Sequence, residues 1–165
     1  MASILVAEDH GALRDALAIA LGAQGHRVVT CPRGDSAVRT LETHSFDLVV
    51  TDLKLPGADG LQILEAAKQW QPRAPVIIMT AHGTMEVVVQ ALRLGALDFI
   101  EKPFDIEEME ARIQKALEQG ELVQRVQGLR DDLLAPYRPE NIIGESPALS
   151  KALEMVRRVA PAKVN

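Results

Sequence analysis

The chain has a single cysteine, Cys31, in 165 residues, so no disulfide can form within it and a reducing compartment is expected. No apolar run approaches the roughly 20 residues that a membrane-spanning helix needs. The first residues also lack the basic segment and long apolar core that a signal peptide requires. These absences predict a cytoplasmic protein that makes no membrane contact.

Basic residues are also scarce. Lys and Arg number 18 against 23 Asp and Glu, the net charge is −5, and no basic cluster stands out. Because nucleic-acid surfaces neutralise phosphates with Lys and Arg, we expect no nucleic-acid contact by this chain. Glycine-rich phosphate loops are missing as well. None follows the first apolar run, and no Gly-x-x-x-x-Gly-Lys-Ser/Thr motif occurs, so the chain is not expected to hydrolyse ATP.

Short apolar runs alternate with helix-like stretches five times, which predicts an α/β fold with a doubly wound, five-stranded parallel sheet and helices on both faces. Runs one, three and four are the most apolar and belong at the centre, whereas the more polar second run suits an edge. The strand order 2-1-3-4-5 fits this pattern, partly by analogy with known doubly wound folds. Asp35 and Asp59 are expected to cap the second and third helices. The predicted strands are about 3–7, 26–31, 47–51, 75–79 and 97–101.

Polar side chains follow four of these runs, at the point where each strand ends. They are Glu8-Asp9, Asp52, Thr80 and Lys102-Pro103. In an open parallel sheet, ligands bind beyond the carboxyl ends of the strands, so we expect these side chains to converge. Strands one and three are neighbours in the predicted order, which brings the acids together.

Clustered carboxylates repel each other unless a cation lies between them, and an open site with only oxygen ligands suits Mg²⁺. We expect Asp9 and Asp52 to be direct ligands. Glu8 binds the ion either directly or through water. The backbone carbonyl of Lys54, two residues past Asp52, is a further expected ligand.

Asp52 ends the most buried strand, where a carboxylate can act as a nucleophile toward a phosphoryl group. Lys102 would offset charge on the transferring oxygens, and the Thr80 hydroxyl could hydrogen-bond one of them. Thr80 taken alone also fits an ordinary strand end. For Phe99, buried packing is the default expectation and a side-chain switch is the alternative. The Lys102–Pro103 peptide is either cis or trans.

Beyond Pro103 the composition changes to a long helix over about 105–135. It carries two apolar stripes whose phase differs on either side of Gly120. We favour a coiled-coil dimer of this helix over a single connector that packs on a neighbouring domain. The stripes are Ile106, Met109, Ile113, Leu117 and then Leu122, Val126, Leu129, Leu133.

Together, Glu8-Asp9, Asp52, Thr80 and Lys102-Pro103 resemble the signature of the response-regulator receiver domain of two-component signalling, over residues 1 to about 120. The resemblance implies that Asp52 accepts phosphate from a sensor histidine kinase, with Mg²⁺ held by the acid pair. It also implies a Thr80–Phe99 couple that rearranges on phosphorylation. A homodimer would form through the fourth helix, fifth strand and fifth helix, and Glu8 stands where many members have Asp.

Residues 141–148 resemble the entry to the ATPase domain of sigma-54-dependent transcriptional activators. The predicted organisation is therefore a receiver domain at 1–120, a linker helix at 121–137 that continues the fifth helix, and the start of an ATPase domain at 138–165. Such a receiver is not itself an enzyme. It would control the ATPase, and only that domain would reach sigma-54 RNA polymerase.

Three alternatives remain. A phosphatase of the haloacid dehalogenase type is disfavoured because its second aspartate is replaced here by Lys54. A flavodoxin-like nucleotide-binding domain lacks support because no glycine-rich loop follows the first strand. A receiver-like domain that only dimerises and never takes phosphate is the third.

Overall fold

The computed structural model describes residues 1–81 and 85–134, with side chains as far as residue 122. Along these residues strands and helices alternate as the apolar pattern predicts. The elements are β1 (Ser3–Ala7), α1 (Gly11–Ala23), β2 (Arg27–Cys31), α2 (Gly34–Thr43), β3 (Leu48–Asp52), α3 (Gly60–Trp70), β4 (Val76–Thr80), α4 (Met85–Arg93), β5 (Asp98–Glu101) and α5 (Ile106–Leu134).

The strands form one parallel sheet in the order β2-β1-β3-β4-β5, which confirms the predicted topology. The most apolar strands lie inside: every residue of β3 and β4 is buried. The more polar β2 is an edge strand and is partly exposed. The central strands of a parallel sheet are buried on both faces, so they are mostly apolar, as β3 and β4 are here.

Helices cover both faces of the sheet. Alternate strand residues point to opposite faces, so Ile4 and Val6 pack with α1 and α5, whereas Leu5 and Ala7 pack with α2, α3 and α4. The first predicted stripe of the long helix lies against this core. Its Met109 and Ile113 are buried, and Ile106 and Leu117 are partly buried.

The two predicted helix caps have different outcomes. Asp59 caps α3 as expected, and it forms a reciprocal capping box with Gln62. The prediction for Asp35 is wrong, because Arg33 is the N-cap and α2 begins at Gly34, so that Asp35 lies inside the first turn of the helix. The Asp35 carboxylate instead accepts hydrogen bonds from Arg33 Nε and the Ser36 amide, each 3.0 Å long.

The start of α2 is fixed by the loop that follows β3. The Gly34 amide donates to the Pro56 carbonyl at 3.0 Å, and a Cβ at Gly34 would lie 1.8 Å from the Ala58 carbonyl oxygen. At the other end of that loop, a Cβ at Gly60 would lie 2.4 Å from the Asp52 carbonyl oxygen. Only glycine permits these approaches, and they hold the loop that follows Asp52 in place.

The residues group by their contacts into two units, Met1–Gln124 and Arg125–Asn165. In the second apolar stripe Leu122 is 62 % exposed, and the later members lie outside the described side chains. The predicted end of the long helix and the resemblance at residues 141–148 also lie outside the described residues. Along the part of the chain that is described, no helix has both the length and the apolar character of a membrane span.

Candidate functional site

The carboxyl ends of β1 and β3 bring three acids together. The sheet pairs Ala7 with Thr51, so the next residue on each strand, Glu8 and Asp52, lie side by side. With Asp9 they form a cluster in which one carboxylate oxygen from each residue lies within 4.8 Å of the others. Glu8 and Asp52 are buried, and Asp9 is exposed. The acids predicted from separate strand ends therefore meet at one place.

Lys102 completes the cluster from β5. Neighbouring strands lie about 4.8 Å apart, and β4 separates β3 from β5, so only a long side chain can reach Asp52 from there. Lys102 Nζ lies 2.6 Å from Asp52 Oδ2 and 2.6 Å from Glu8 Oε2. The Lys102–Pro103 peptide, left open by the sequence, is cis.

Glu8 is fully buried, and both of its carboxylate oxygens accept hydrogen bonds. Oε1 accepts from the His10 amide at 3.1 Å, and Oε2 accepts from Lys102 Nζ. Desolvation by burial raises the pKa of Glu8, and the negative charge of Asp52 acts in the same direction. Lys102 opposes both effects without reversing them. Glu8 is therefore held in one orientation and is a weaker acid than an exposed glutamate.

Burial alone would lower the pKa of Lys102. The hydrogen bonds to Asp52 and Glu8, together with their negative charges, outweigh that effect and raise the pKa above its ordinary value. Lys102 therefore stays charged at neutral pH. With all three acids ionised, three negative charges face one positive charge, which leaves two negative charges. An all-oxygen donor set with this excess fits a small divalent cation such as Mg²⁺.

Asp52 is held at the end of β3 with 8 % of its surface exposed. Its Oδ2 contacts Lys102 Nζ, and its Oδ1 accepts a 3.2 Å hydrogen bond from the Lys54 amide. The carboxylate is thus oriented by one charged and one backbone donor, while its edge remains accessible. For Lys54 the contact that is seen belongs to its N–H, and the predicted role of its carbonyl as a ligand stays a prediction.

Thr80 and Phe99 lie on neighbouring strands. Thr80 is buried at the end of β4, and its carbonyl accepts a 2.7 Å hydrogen bond from the Lys102 amide. The sheet pairs Thr80 with Glu101, so Phe99, two residues earlier, points to the same face as Thr80. The expectation of a buried Phe99 is wrong: it is 37 % exposed, because β5 is an edge strand of the sheet.

One residue near the site went unnoticed in the sequence. Arg14, in α1, donates from Nη1 to the backbone carbonyls of Glu8 and Asp9. The sequence does contain a pattern that indicates this role: an acid pair is followed by a helix, and an arginine lies in the first turn of that helix. Helical side chains tilt back toward the N-terminus of the helix, so such an arginine reaches the preceding loop.

This geometry agrees with a comparison against known families. Residues 4–114 match the family described as response regulator receiver domain. The chain belongs to this family. The resemblance found in the sequence is therefore confirmed, and the haloacid dehalogenase and flavodoxin alternatives are set aside.

Two curated relatives of this receiver domain are transcriptional regulators. DNA-binding transcriptional regulator NtrC of Escherichia coli is 32% identical over 162 residues, which are 98% of this chain and 34% of NtrC. Transcriptional regulatory protein FixJ of Bradyrhizobium diazoefficiens is 36% identical over 132 residues, which are 80% of this chain and 64% of FixJ. The chain thus spans about a third of the length of NtrC.

Solved structures give the same result. The crystal structure of NtrX from Brucella abortus superposes with a TM-score of 0.73 at 35% identity, covering 97% of this chain and 35% of NtrX. A CheY-like response regulator receiver domain protein from Methanospirillum hungatei superposes with a TM-score of 0.70 at 28% identity, covering 72% of this chain and 95% of that protein. The receiver fold is therefore shared with both a larger protein and a protein of about receiver size.

Proposed function

We propose that this receiver domain accepts a phosphoryl group on Asp52 from the phosphohistidine of a sensor histidine kinase. The observation that carries the proposal is the 2.6 Å contact between Lys102 Nζ and Asp52 Oδ2, beside two further acids. A partly accessible carboxylate with a fixed cation next to it is suited to nucleophilic attack on phosphorus, because the cation offsets charge on the transferring oxygens.

In the proposed transfer, a carboxylate oxygen of Asp52 attacks the phosphorus atom and the phosphorus–nitrogen bond of the donor breaks. The bonding electron pair stays on the imidazole nitrogen, the imidazole takes one proton from solvent, and Asp52 becomes an acyl phosphate. Lys102 then moves its hydrogen bond from the carboxylate to a phosphoryl oxygen. The Thr80 hydroxyl donates to a second phosphoryl oxygen from the end of β4.

The residues present fit a Mg²⁺ ion, which when bound would offset the negative charge of the phosphoryl oxygens. We assign Asp9 and Asp52 as direct ligands and the Lys54 carbonyl as a further one. We assign Glu8 a contact through water, because both of its oxygens already accept hydrogen bonds from His10 and Lys102.

Exposed apolar residues on α4, on β5 and directly before β5 provide the proposed output face. We call it the α4–β5 patch; its members are Met85, Val89, Leu92, Leu97 and Phe99. Phosphorylation adds negative charge and acceptor oxygens near Thr80, which shares a sheet face with Phe99. We propose that Thr80 and Phe99 rearrange together and change how a second copy of the chain pairs on this patch and on α5.

Helix α5 contacts β5 through an ion pair. Arg112 of α5 places Nη1 2.7 Å from Asp98 Oδ2 of β5, and its Nη2 lies 2.9 Å from Glu108 Oε1 within α5 itself. A shift of β5 is thereby transmitted to the helix that leads out of the receiver domain. We propose that the linker at 121–137 pairs as a coiled coil and carries the change onward.

We further propose that the chain acts within a longer cytoplasmic regulator in which residues 138–165 begin an ATPase domain. That domain would act on sigma-54 RNA polymerase and so control transcription. Support comes from NtrC, a DNA-binding transcriptional regulator that is about three times as long as its match to this chain.

Light scattering with beryllium fluoride and Mg²⁺, which mimic a phosphoryl group on an aspartate, tests this proposal. We expect the chain to shift between monomer and dimer when both are added. Leu92→Glu should abolish the shift, because it puts a charge into the α4–β5 patch. Ile19→Glu is the matched control, since Ile19 is an exposed apolar residue on α1, outside the patch.

An unchanged mass in the wild-type chain, together with no bound Mg²⁺, would contradict the proposal. A constant dimer under both conditions would favour the alternative of a receiver-like module that dimerises without phosphate. A shift that persists in Leu92→Glu would place the interface elsewhere.

A further inference from the structure

The β1–α1 loop, which carries two of the three acids, is held by a side chain outside the cluster. Arg14 Nη1 donates to the carbonyl oxygen of Glu8 at 3.0 Å and to that of Asp9 at 3.3 Å. We propose that Arg14 is a positioning residue that fixes the Asp9 backbone and thereby sets the affinity of the acid cluster for a divalent cation. This inference rests on the proposed function.

The position of Arg14 in its helix is electrostatically unfavourable. α1 begins at Gly11, so Arg14 lies in its first turn, where the helix dipole disfavours a positive charge. No acidic residue lies in that turn, and the His10 side chain makes no capping hydrogen bond. The stabilising contacts of the guanidinium are therefore those with the preceding loop.

The ion pair of Arg14 with Asp15 does not explain its placement either. The two side chains approach only to 3.9 Å, and Asp15 is 72% exposed, so the pair is weak. The Arg14 side chain itself is only 20% exposed. Both of its hydrogen bonds are made to carbonyls of the loop.

Asp9 is the acid that depends most on this contact. Glu8 is also fixed by its amide, which donates to the Cys31 carbonyl, and by its hydrogen bond with Lys102. Asp9 is exposed, so the direction of its carboxylate follows the backbone on which it stands. If Arg14 is removed, that backbone gains freedom, and cation binding must then supply the ordering. Loss of a residue that orients a ligand typically weakens metal binding about tenfold or more.

Calorimetric titration of the full chain with Mg²⁺ at about 0.15 M salt tests the proposal. We expect Arg14→Gln to weaken Mg²⁺ binding about tenfold, because the glutamine side chain is too short for its amide to reach both carbonyls. Arg14→Lys should weaken it less, because the longer lysine side chain can still bring a donor to them. The direction of the change in Mg²⁺ affinity distinguishes positioning from electrostatics. If electrostatics alone acted, removal of a nearby positive charge would tighten cation binding. Asp15→Asn is the matched control and should bind Mg²⁺ as the wild type does.

A second readout separates positioning from general stability. In Arg14→Gln, the NMR signals of the Asp9 and His10 amides should shift and broaden, while the urea midpoint of unfolding in chelator stays close to that of the wild type. Wild-type or tighter Mg²⁺ affinity in Arg14→Gln overturns the inference, as does equal weakening in Asp15→Asn. If Arg14→Gln fails to fold, wild-type affinity in Arg14→Lys overturns it. A wild-type chain that binds no Mg²⁺ contradicts the proposed function itself.

Discussion

Asp52→Asn is expected to reduce phosphoryl uptake from acetyl phosphate and Mg²⁺ to background. Asparagine has the same shape, and its amide oxygen can still accept from Lys102 or from the Lys54 amide, so the fold and the pocket are preserved. The amide, however, carries no negative charge and cannot form an acyl phosphate. Incorporation of radiolabelled phosphate into the purified chain measures the effect.

Asp59→Asn is the matched control for that experiment. It removes one acid from the same loop, and asparagine caps a helix as well as aspartate does, so α3 should keep its start. We expect wild-type labelling in this variant. Undiminished labelling of Asp52→Asn would show that another residue is the acceptor.

Lys102→Met is expected to lower the free energy of unfolding by about 3 kcal/mol near pH 7 without divalent cations. Its Nζ is the only charged partner recorded for the Glu8 carboxylate among the described residues, and Glu8 has no exposed surface. Removing one member of such a pair leaves a buried charge without compensation and leaves Glu8 and Asp52 to repel each other. Urea unfolding in chelator measures the change.

Lys54→Met is the control, because it removes the same charge next to the site from an exposed side chain. Its effect should stay within about 0.5 kcal/mol. The loss in Lys102→Met should also depend on pH. The pKa of Glu8 is already raised by burial, and removal of Lys102 raises it further, so the loss is full above that pKa. It should shrink as the pH falls and Glu8 takes up a proton.

Adding Glu8→Gln to Lys102→Met should restore most of the lost stability, since it removes the unpaired charge and keeps an acceptor for the His10 amide. If Lys102→Met is as stable as the wild type at neutral pH, Glu8 is not held as a buried carboxylate. The electrostatic description of the pocket would then be wrong.

Much of the fold can be predicted from the sequence because a buried parallel strand has a short, continuous run of apolar residues. β3 and β4 are both such runs, and their ends locate Asp52 and Thr80. Once the strand order is known, the carboxyl ends must share one edge of the sheet. The convergence of Glu8, Asp52 and Lys102 is therefore a consequence of topology and needs no contact information.

Other features could not be predicted from the sequence, because they depend on contacts between segments that are distant along the chain. The start of α2 at Gly34 is set by the backbone around Pro56, so Asp35 was wrongly expected to be the cap. The exposure of Phe99, by contrast, could have been predicted, because the order 2-1-3-4-5 already makes β5 an edge strand; the apolar character of Phe99 taken alone favoured burial. The role of Arg14 requires the loop geometry, since its partners are backbone carbonyls that no residue type reveals.

The way in which Glu8 would contact the cation is another feature that the sequence did not determine. The sequence left both direct and water-mediated binding of the cation open. What favours the second is the occupation of both carboxylate oxygens by His10 and Lys102, which depends on the length of the glutamate and on its complete burial.

The central claim is that Asp52 alone takes the phosphoryl group. Treatment of the wild-type chain with acetyl phosphate and Mg²⁺, followed by borohydride reduction of the acyl phosphate and peptide mass spectrometry, identifies the modified residue directly. We expect that only Asp52 is reduced and that chelation of Mg²⁺ prevents the modification. Modification of Asp9 or of any other carboxylate, or of none at saturating donor and Mg²⁺, would contradict it.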